Sequence, residues 1–219
     1  MKNLKNAFLL KQLYQLKNLG YRYTDENIYQ EDLTDLQLPD TLEALYKQAM
    51  RCHLCALSKN RTKTVFGEGK SDADILFIGE APGAGEDLQG RPFVGKSGEM
   101  LTKMIENVLD ISRSEVYIAN IVKCRPPENR EPTPAEAHTC LPYLQKQIAL
   151  IKPKLIVTLG TTAYRYLTED ATPISQVRGI VKQYPDYIVI PTYHPSYLLR
   201  NPSAKREVFE DLKKVKNLM

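Results

Sequence analysis

Four short apolar runs recur along this chain, with segments of helical periodicity between them, and that alternation constrains the fold most. The runs are Asp74–Gly79, Val116–Val122, Lys154–Gly160 and Tyr187–Thr192. The intervening patterns predict helices near Ser97–Leu109, Thr133–Ile151 and Thr161–Leu167, with a last one at Ser203–Leu218. The second of these carries Thr133 as cap, Pro134 in the first turn and Glu136 completing a capping box, with a kink expected at Pro142. Strands alternating with helices predict an α/β fold: a mostly parallel central sheet of about four strands, flanked by helices on both faces. Ligands of such sheets sit outside the carboxyl ends of the strands. Function is therefore sought just after Gly79, Ile118, Leu159 and Ile190.

Upstream of the first strand the pattern changes. An apolar stripe of Leu9, Leu13 and Leu16 predicts a helix from about Leu4 to Leu19, stopped by Gly20. Thr24–Asp40 is acidic and weakly periodic and reads as a linker, after which Asp40 and Glu43 resemble a capping box opening a helix toward Met50. Residues 1–40 are thus expected to be an N-terminal helical extension, and 41–219 the main domain.

The chain has 219 residues and a formal charge of +4, which favours a polyanionic partner only mildly. No apolar run is long enough to cross a bilayer, and the N-terminus lacks a signal peptide's continuous apolar region. A cytoplasmic location is expected. Thiols there stay mostly reduced, so four cysteines point to metal or cluster ligation before disulfides. They fall as C-x2-C at Cys52 and Cys55, then Cys124 and Cys140. Four thiolates just fill a zinc site or a [4Fe–4S] site, and spacing alone does not choose between them.

The strand ends carry the candidate chemistry. After the first comes Gly79-Glu80-Ala81-Pro82-Gly83, with Glu86-Asp87 and then Gly90-Arg91-Pro92-Phe93-Val94-Gly95. The second ends at Asn120 before Lys123-Cys124-Arg125, and the fourth leads into His194-Pro195-Ser196-Tyr197-Leu198-Leu199-Arg200. Each residue alone has an ordinary explanation: a solvated histidine, a turn asparagine, a core phenylalanine, rim glutamates. Their joint placement at one ligand edge is what points to function. An aromatic, an amide and an imidazole together can hold a flat heterocycle. Gly90–Ser97 also fits the phosphate-binding pattern G-x-x-x-x-G-K-S. That mechanism requires the loop to leave a strand directly, and here the nearest strand ends at Gly79, while Pro92 removes one N–H donor. Nucleotide hydrolysis and cluster-bearing nucleic-acid binding without catalysis stand as the competing classes.

Taken together, these blocks resemble the family-four (iron–sulfur, thermostable-type) uracil-DNA glycosylases, over roughly Leu42–Met219. The resemblance implies a monofunctional enzyme that flips uracil out of DNA and hydrolyses its N-glycosidic bond, starting base excision repair. It implies a [4Fe–4S] cluster on Cys52, Cys55, Cys124 and Cys140. Phe93 would stack on the base, Asn120 would read its O4 and N3–H edge, and His194 would stabilise the uracil anion at O2. Backbone N–H groups around Glu80 and Ala81 would add donors, and Glu80 would take the place of a water-positioning aspartate. Glu86 would sit by the C5 edge. Lys96, Ser97, Arg125, Arg130, Ser196 and Arg200 would meet phosphates, and Tyr197, Leu198 and Leu199 would form a wedge in the DNA stack. The expected partner is uracil-containing DNA, single- or double-stranded; no membrane, no nucleoside triphosphate and a monomeric state are expected.

Overall fold

The fold is described by a computed structural model, which covers residues 37–219. The helix expected at Leu4–Leu19 and most of the linker lie outside the described residues. In chain order the elements are α1 Leu42–Met50, β1 Glu68–Gly69, β2 Ile75–Gly79, α2 Ala84–Gln89, α3 Lys96–Met104, β3 Tyr117–Asn120 and α4 Pro134–Ile151. They continue as β4 Leu155–Leu159, α5 Thr161–Thr168, α6 Ile174–Val177, β5 Lys182–Gln183, β6 Ile188–Thr192, α7 Pro195–Arg200 and α8 Lys205–Asn217.

The strands lie in the order β1-β3-β2-β4-β6-β5. The four apolar runs form the parallel centre, as expected, and two-residue antiparallel strands close both edges. Those edge strands are too short and polar to register as apolar runs. β2, β3 and β4 are buried at every position, which explains their near-continuous hydrophobicity. Side chains alternate between two cores, following the two-residue period of a strand. Leu76 and Ile78 pack with Leu144 and Ile148 of α4 and Tyr166 of α5. Ile75 and Phe77 face the other way, onto Leu101 of α3 and Leu212 of α8.

Chain order turns around β2. From β2 the chain passes to β3 on one side, then crosses over to β4 on the other. A crevice forms at the carboxyl ends of strands where the order reverses like this.

Local sequence signals account for most helix boundaries. Thr133 caps α4, with both halves of the capping box formed with Glu136. The helix continues through Pro142 rather than ending there. The start of α1 corrects the expectation: the cap is Thr41, whose hydroxyl accepts from Ala44 N at 3.3 Å. Asp40 instead pairs with Lys146 of α4 at 2.6 Å, a partner more than a hundred residues away that no local pattern can reveal. No helix among the described residues is long and apolar enough to cross a membrane.

Candidate active site

A cavity of about 870 Å³ opens at the carboxyl ends of β2, β3, β4 and β6. Glu80, Ala81, Glu86, Phe93, Ser97, Asn120, His194, Ser196 and Arg200 all line it. The sheet therefore gathers residues spread over 120 positions of sequence at the edge where ligands were expected.

Asn120 ends β3, in register with Gly79 of β2, and is 1% exposed. Its Oδ1 is buried without a hydrogen-bond partner; among the described residues only Thr158 Oγ1, which does not line the cavity, shares that state. A buried acceptor left unpaired is destabilising unless something outside the chain completes it. Gly79 makes this arrangement possible: a Cβ there would stand 2.4 Å from Asn120 Oδ1 and 2.6 Å from the Phe93 ring. Phe93 itself adopts φ 52°, a left-handed conformation uncommon for an aromatic residue. It is locked by Gly98 of α3, where any Cβ would fall 1.8 Å from the Phe93 carbonyl oxygen. The ring faces His194 at 5.6 Å between centroids, tilted 33°.

His194 caps α7. Its Nδ1 accepts from Ser196 N at 3.1 Å and lies 2.7 Å from Ser196 Oγ. A backbone N–H can only donate, so Nδ1 is the acceptor and the neutral ring carries its proton on Nε2. Burial, with Arg200 nearby, pushes the imidazole pKa down to about 4. The residue is thus a neutral donor across physiological pH.

Glu80 follows β2 on the cavity wall. Burial raises its carboxyl pKa against a hydrogen bond from Thr162, and the neighbouring Glu131 raises it further. Thr162 Oγ1 stands 3.2 Å from Glu131, which Arg165 also grips at 2.5 Å. Glu86 does more than line the cavity: its Oε1 accepts from Val94 N at 3.2 Å and Gly95 N at 3.5 Å. These are N–H groups that a phosphate loop would present to its ligand. The Gly90–Ser97 segment also leaves α2, not a strand.

At the rim, Lys96 is exposed at the start of α3. Arg130 is held by both oxygens of Glu136 at 2.8 Å, and Arg125 donates to Asn129 Oδ1 at 2.8 Å. Leu198 needs correction: it is 1% exposed and packs in the core with Leu101 and Leu212. On α7 the buried apolar position belongs to Leu198, so its neighbours Tyr197 and Leu199, 36% and 41% exposed, are the ones presented outward.

Sequence reasoning missed Thr162, Glu131, Arg165 and Tyr193. Thr162 lies just past the end of β4, and Tyr193 just past β6, so the strand-end rule alone flags those two. Glu131 and Arg165 come together only through the fold.

The four cysteines line a second, smaller cavity together with Lys123. Cys52 and Cys55 are half-buried, Cys124 and Cys140 buried. Arg61 Nη1 donates to Cys124 Sγ at 3.2 Å, and Lys123 N donates to Cys140 Sγ at 3.3 Å. Without a metal, burial pushes the Cys140 thiol up to about 12; ligation deprotonates a thiol outright. Four sulfurs, two cationic residues and N–H donors aimed at sulfur make a donor set that fits an anionic thiolate-ligated centre. Among the described residues, no three or more His, Cys, Asp or Glu side chains are arranged as ligands of a single ion. Asp87 ties this region to α2 by accepting from Thr62 N at 2.9 Å.

Residues 66–213 match the Uracil DNA glycosylase superfamily. A type-4 uracil-DNA glycosylase of Sulfurisphaera tokodaii is 46% identical over 82% of this chain and 85% of its own length. Those of Saccharolobus solfataricus and Thermotoga maritima are 43% and 45% identical over 82% of this chain, covering 87% and 95% of their lengths. A match of this extent, on a fold whose strand ends converge on one cavity, decides the matter: the chain belongs to the uracil-DNA glycosylase superfamily, in its type-4 group.

Proposed function

We propose that residues 41–219 form the catalytic domain of a monofunctional uracil-DNA glycosylase, which hydrolyses the N-glycosidic bond of uracil in DNA and so starts base excision repair. The observation that carries the site assignment is the orphaned Oδ1 of Asn120 on the floor of the cavity. Uracil offers the donor it lacks, at N3–H, while the same amide's Nδ2 donates to O4. Cytosine presents a bare N3 and an amino donor instead, so both contacts fail at once, and unpaired buried polar groups reject strongly.

The base reaches this floor only after the nucleotide rotates out of the DNA stack. Phe93 stacks on it. As the C1′–N1 bond breaks, the electron pair goes to the base and negative charge collects at O2. The Nε2–H of neutral His194 donates there, fixed in direction by Ser196. Backbone N–H groups around Glu80 and Ala81 add donors. Such donors act where charge develops and lower the barrier selectively. Glu80, on the cavity wall, faces the oxocarbenium-like sugar and orients the attacking water. Glu86 holds the Phe93 loop in place by its grip on Val94 and Gly95, and closes the C5 edge against a methyl group. Ser97, Ser196, Lys96 and Arg200 meet DNA phosphates, and Tyr197 with Leu199 fills the gap left by the flipped base.

Cys52, Cys55, Cys124 and Cys140 would hold a [4Fe–4S] cluster, which when bound ties the segment before β2 to the loop after β3 and to α4. The domain works as a monomer, in the cytoplasm, on single- or double-stranded uracil-containing DNA. It takes no nucleoside triphosphate, a reading supported by Glu86 occupying the Val94 and Gly95 donors.

The test is single-turnover release from matched oligonucleotides carrying uracil or cytosine at one position, read as strand cleavage after alkali. Wild type is expected to cleave at uracil. Asn120→Asp is expected to impair uracil release and narrow the preference over cytosine, because a carboxylate only accepts. Full uracil activity and selectivity in that variant would remove Asn120 from the pocket reading.

A further inference from the structure

The polar groups behind Asn120 carry an inference of their own. Lys123 is 2% exposed, a cation enclosed by protein. Its ammonium donates to the Asn120 carbonyl oxygen at 2.9 Å and to Gln147 Oε1 at 2.6 Å. Gln147, on α4, is fully buried. Its Nε2 donates to the Phe66 carbonyl at 3.0 Å and to the Tyr117 hydroxyl at 3.2 Å. Tyr117 begins the strand that Asn120 ends, so Gln147 braces β3 at its start directly and at its end through Lys123. A fully buried polar side chain is expensive to keep unless its groups are paired, as here.

We propose that Gln147 is a positioning residue for uracil recognition: by orienting Lys123 against the Asn120 carbonyl, it sets where the Asn120 amide stands in the pocket. The inference rests on the reading of Asn120 given above. Gln147 touches no substrate. It shares the buried side of α4 with Cys140, seven residues earlier, yet supplies no sulfur, so its loss leaves the cysteine ligands unchanged.

The experiment compares holoprotein variants by affinity for free uracil, affinity for DNA containing an abasic site, visible absorbance of the cofactor and thermal midpoint. Gln147→Met keeps length and removes every hydrogen bond. It is expected to weaken free-uracil binding about tenfold, the scale of one charge-assisted hydrogen bond misplaced. Abasic-DNA affinity and cofactor absorbance should stay as in wild type. Gln147→Glu, which still accepts from Lys123, is expected to recover most of the uracil affinity. A purely structural role would lower all readouts together in Gln147→Met or move none of them, and either result overturns the proposal. Should Gln147→Met fail to fold, Tyr117→Phe removes one of its partners more gently and is expected to weaken uracil binding selectively by a few-fold; unchanged uracil binding there overturns the proposal equally. Asn120→Asp serves as the parent control. If it keeps uracil affinity, the pocket reading fails; if it loses affinity while Gln147→Met does not, only the present inference fails.

Discussion

Two buried polar regions meet at Asn120 and treat their hydrogen bonds oppositely. Toward the cavity, the amide Oδ1 is enclosed and unpaired. Behind the sheet, Lys123 and Gln147 leave no buried side-chain polar atom without a partner. The same backbone residue thus has a completed side and an incomplete one. Local stability is spent on the first so that the second can stay poised for a ligand, since an unpaired acceptor persists only where surrounding structure fixes it. Changes at the cysteines should therefore damage the fold, changes in the cavity the rate, changes behind Asn120 the affinity for uracil, and changes at the rim only DNA affinity.

The largest effect is expected at the cysteines. Cys124→Ala removes one of the four cysteines proposed as cluster ligands, and ligation energy is folding energy where a centre ties distant segments together. Expression is expected to yield little soluble protein, without the brown colour and absorption near roughly 400 nm expected of anaerobically purified wild type. Stoichiometric zinc and no iron in the wild-type preparation would replace the cluster with a zinc site.

Next comes the cavity. His194→Ala is expected to fold normally and to slow uracil release by about 100- to 1000-fold, the usual loss for one donor aimed at developing charge. The pH dependence sharpens this. The folded ring has its pKa depressed from 6.5 to about 4, so folding favours the neutral form. Its stabilising contribution is complete above about pH 6.5 and is lost as pH falls toward 4. Accordingly, nitrogen NMR of the His194 ring should show no protonation between roughly pH 5 and 8. A midpoint near 6.5 would mean that the imidazole is open to solvent and that its donor role depends on pH.

The smallest effect belongs to the rim. Lys96→Ala should leave folding and single-turnover release at saturating enzyme unchanged, weaken DNA binding modestly, and reduce the slope of log affinity against log salt by about one. An ATPase lost in this variant would restore the phosphate-loop reading of Gly90–Ser97.

How much of this was legible beforehand varies by element. The four central strands were readable because burial on both faces leaves a dense apolar signal, and α4 because Thr133, Pro134 and Glu136 write a cap in local sequence. The edge strands β1 and β5 were not: two residues paired by backbone alone carry no side-chain signature. The cap of α1 is Thr41, whose hydroxyl accepts from Ala44 N, while Asp40 pairs with Lys146, more than a hundred residues away. Leu198 was misread as a wedge because a short run of Tyr, Leu, Leu does not reveal which leucine is buried.

The sequence by itself determined the parallel α/β frame, the edge at which chemistry occurs and the residue types gathered there, since periodicity, caps and strand-end position are local properties. Only the tertiary structure decided the states of those residues. It left Asn120 Oδ1 unpaired, put the His194 proton on Nε2, gave Glu86 the loop N–H groups, and enclosed Lys123 between Asn120 and Gln147. Even where the partner is near in sequence, as Ser196 is to His194, the state depends on burial or on a loop geometry that does not exist until the chain has folded.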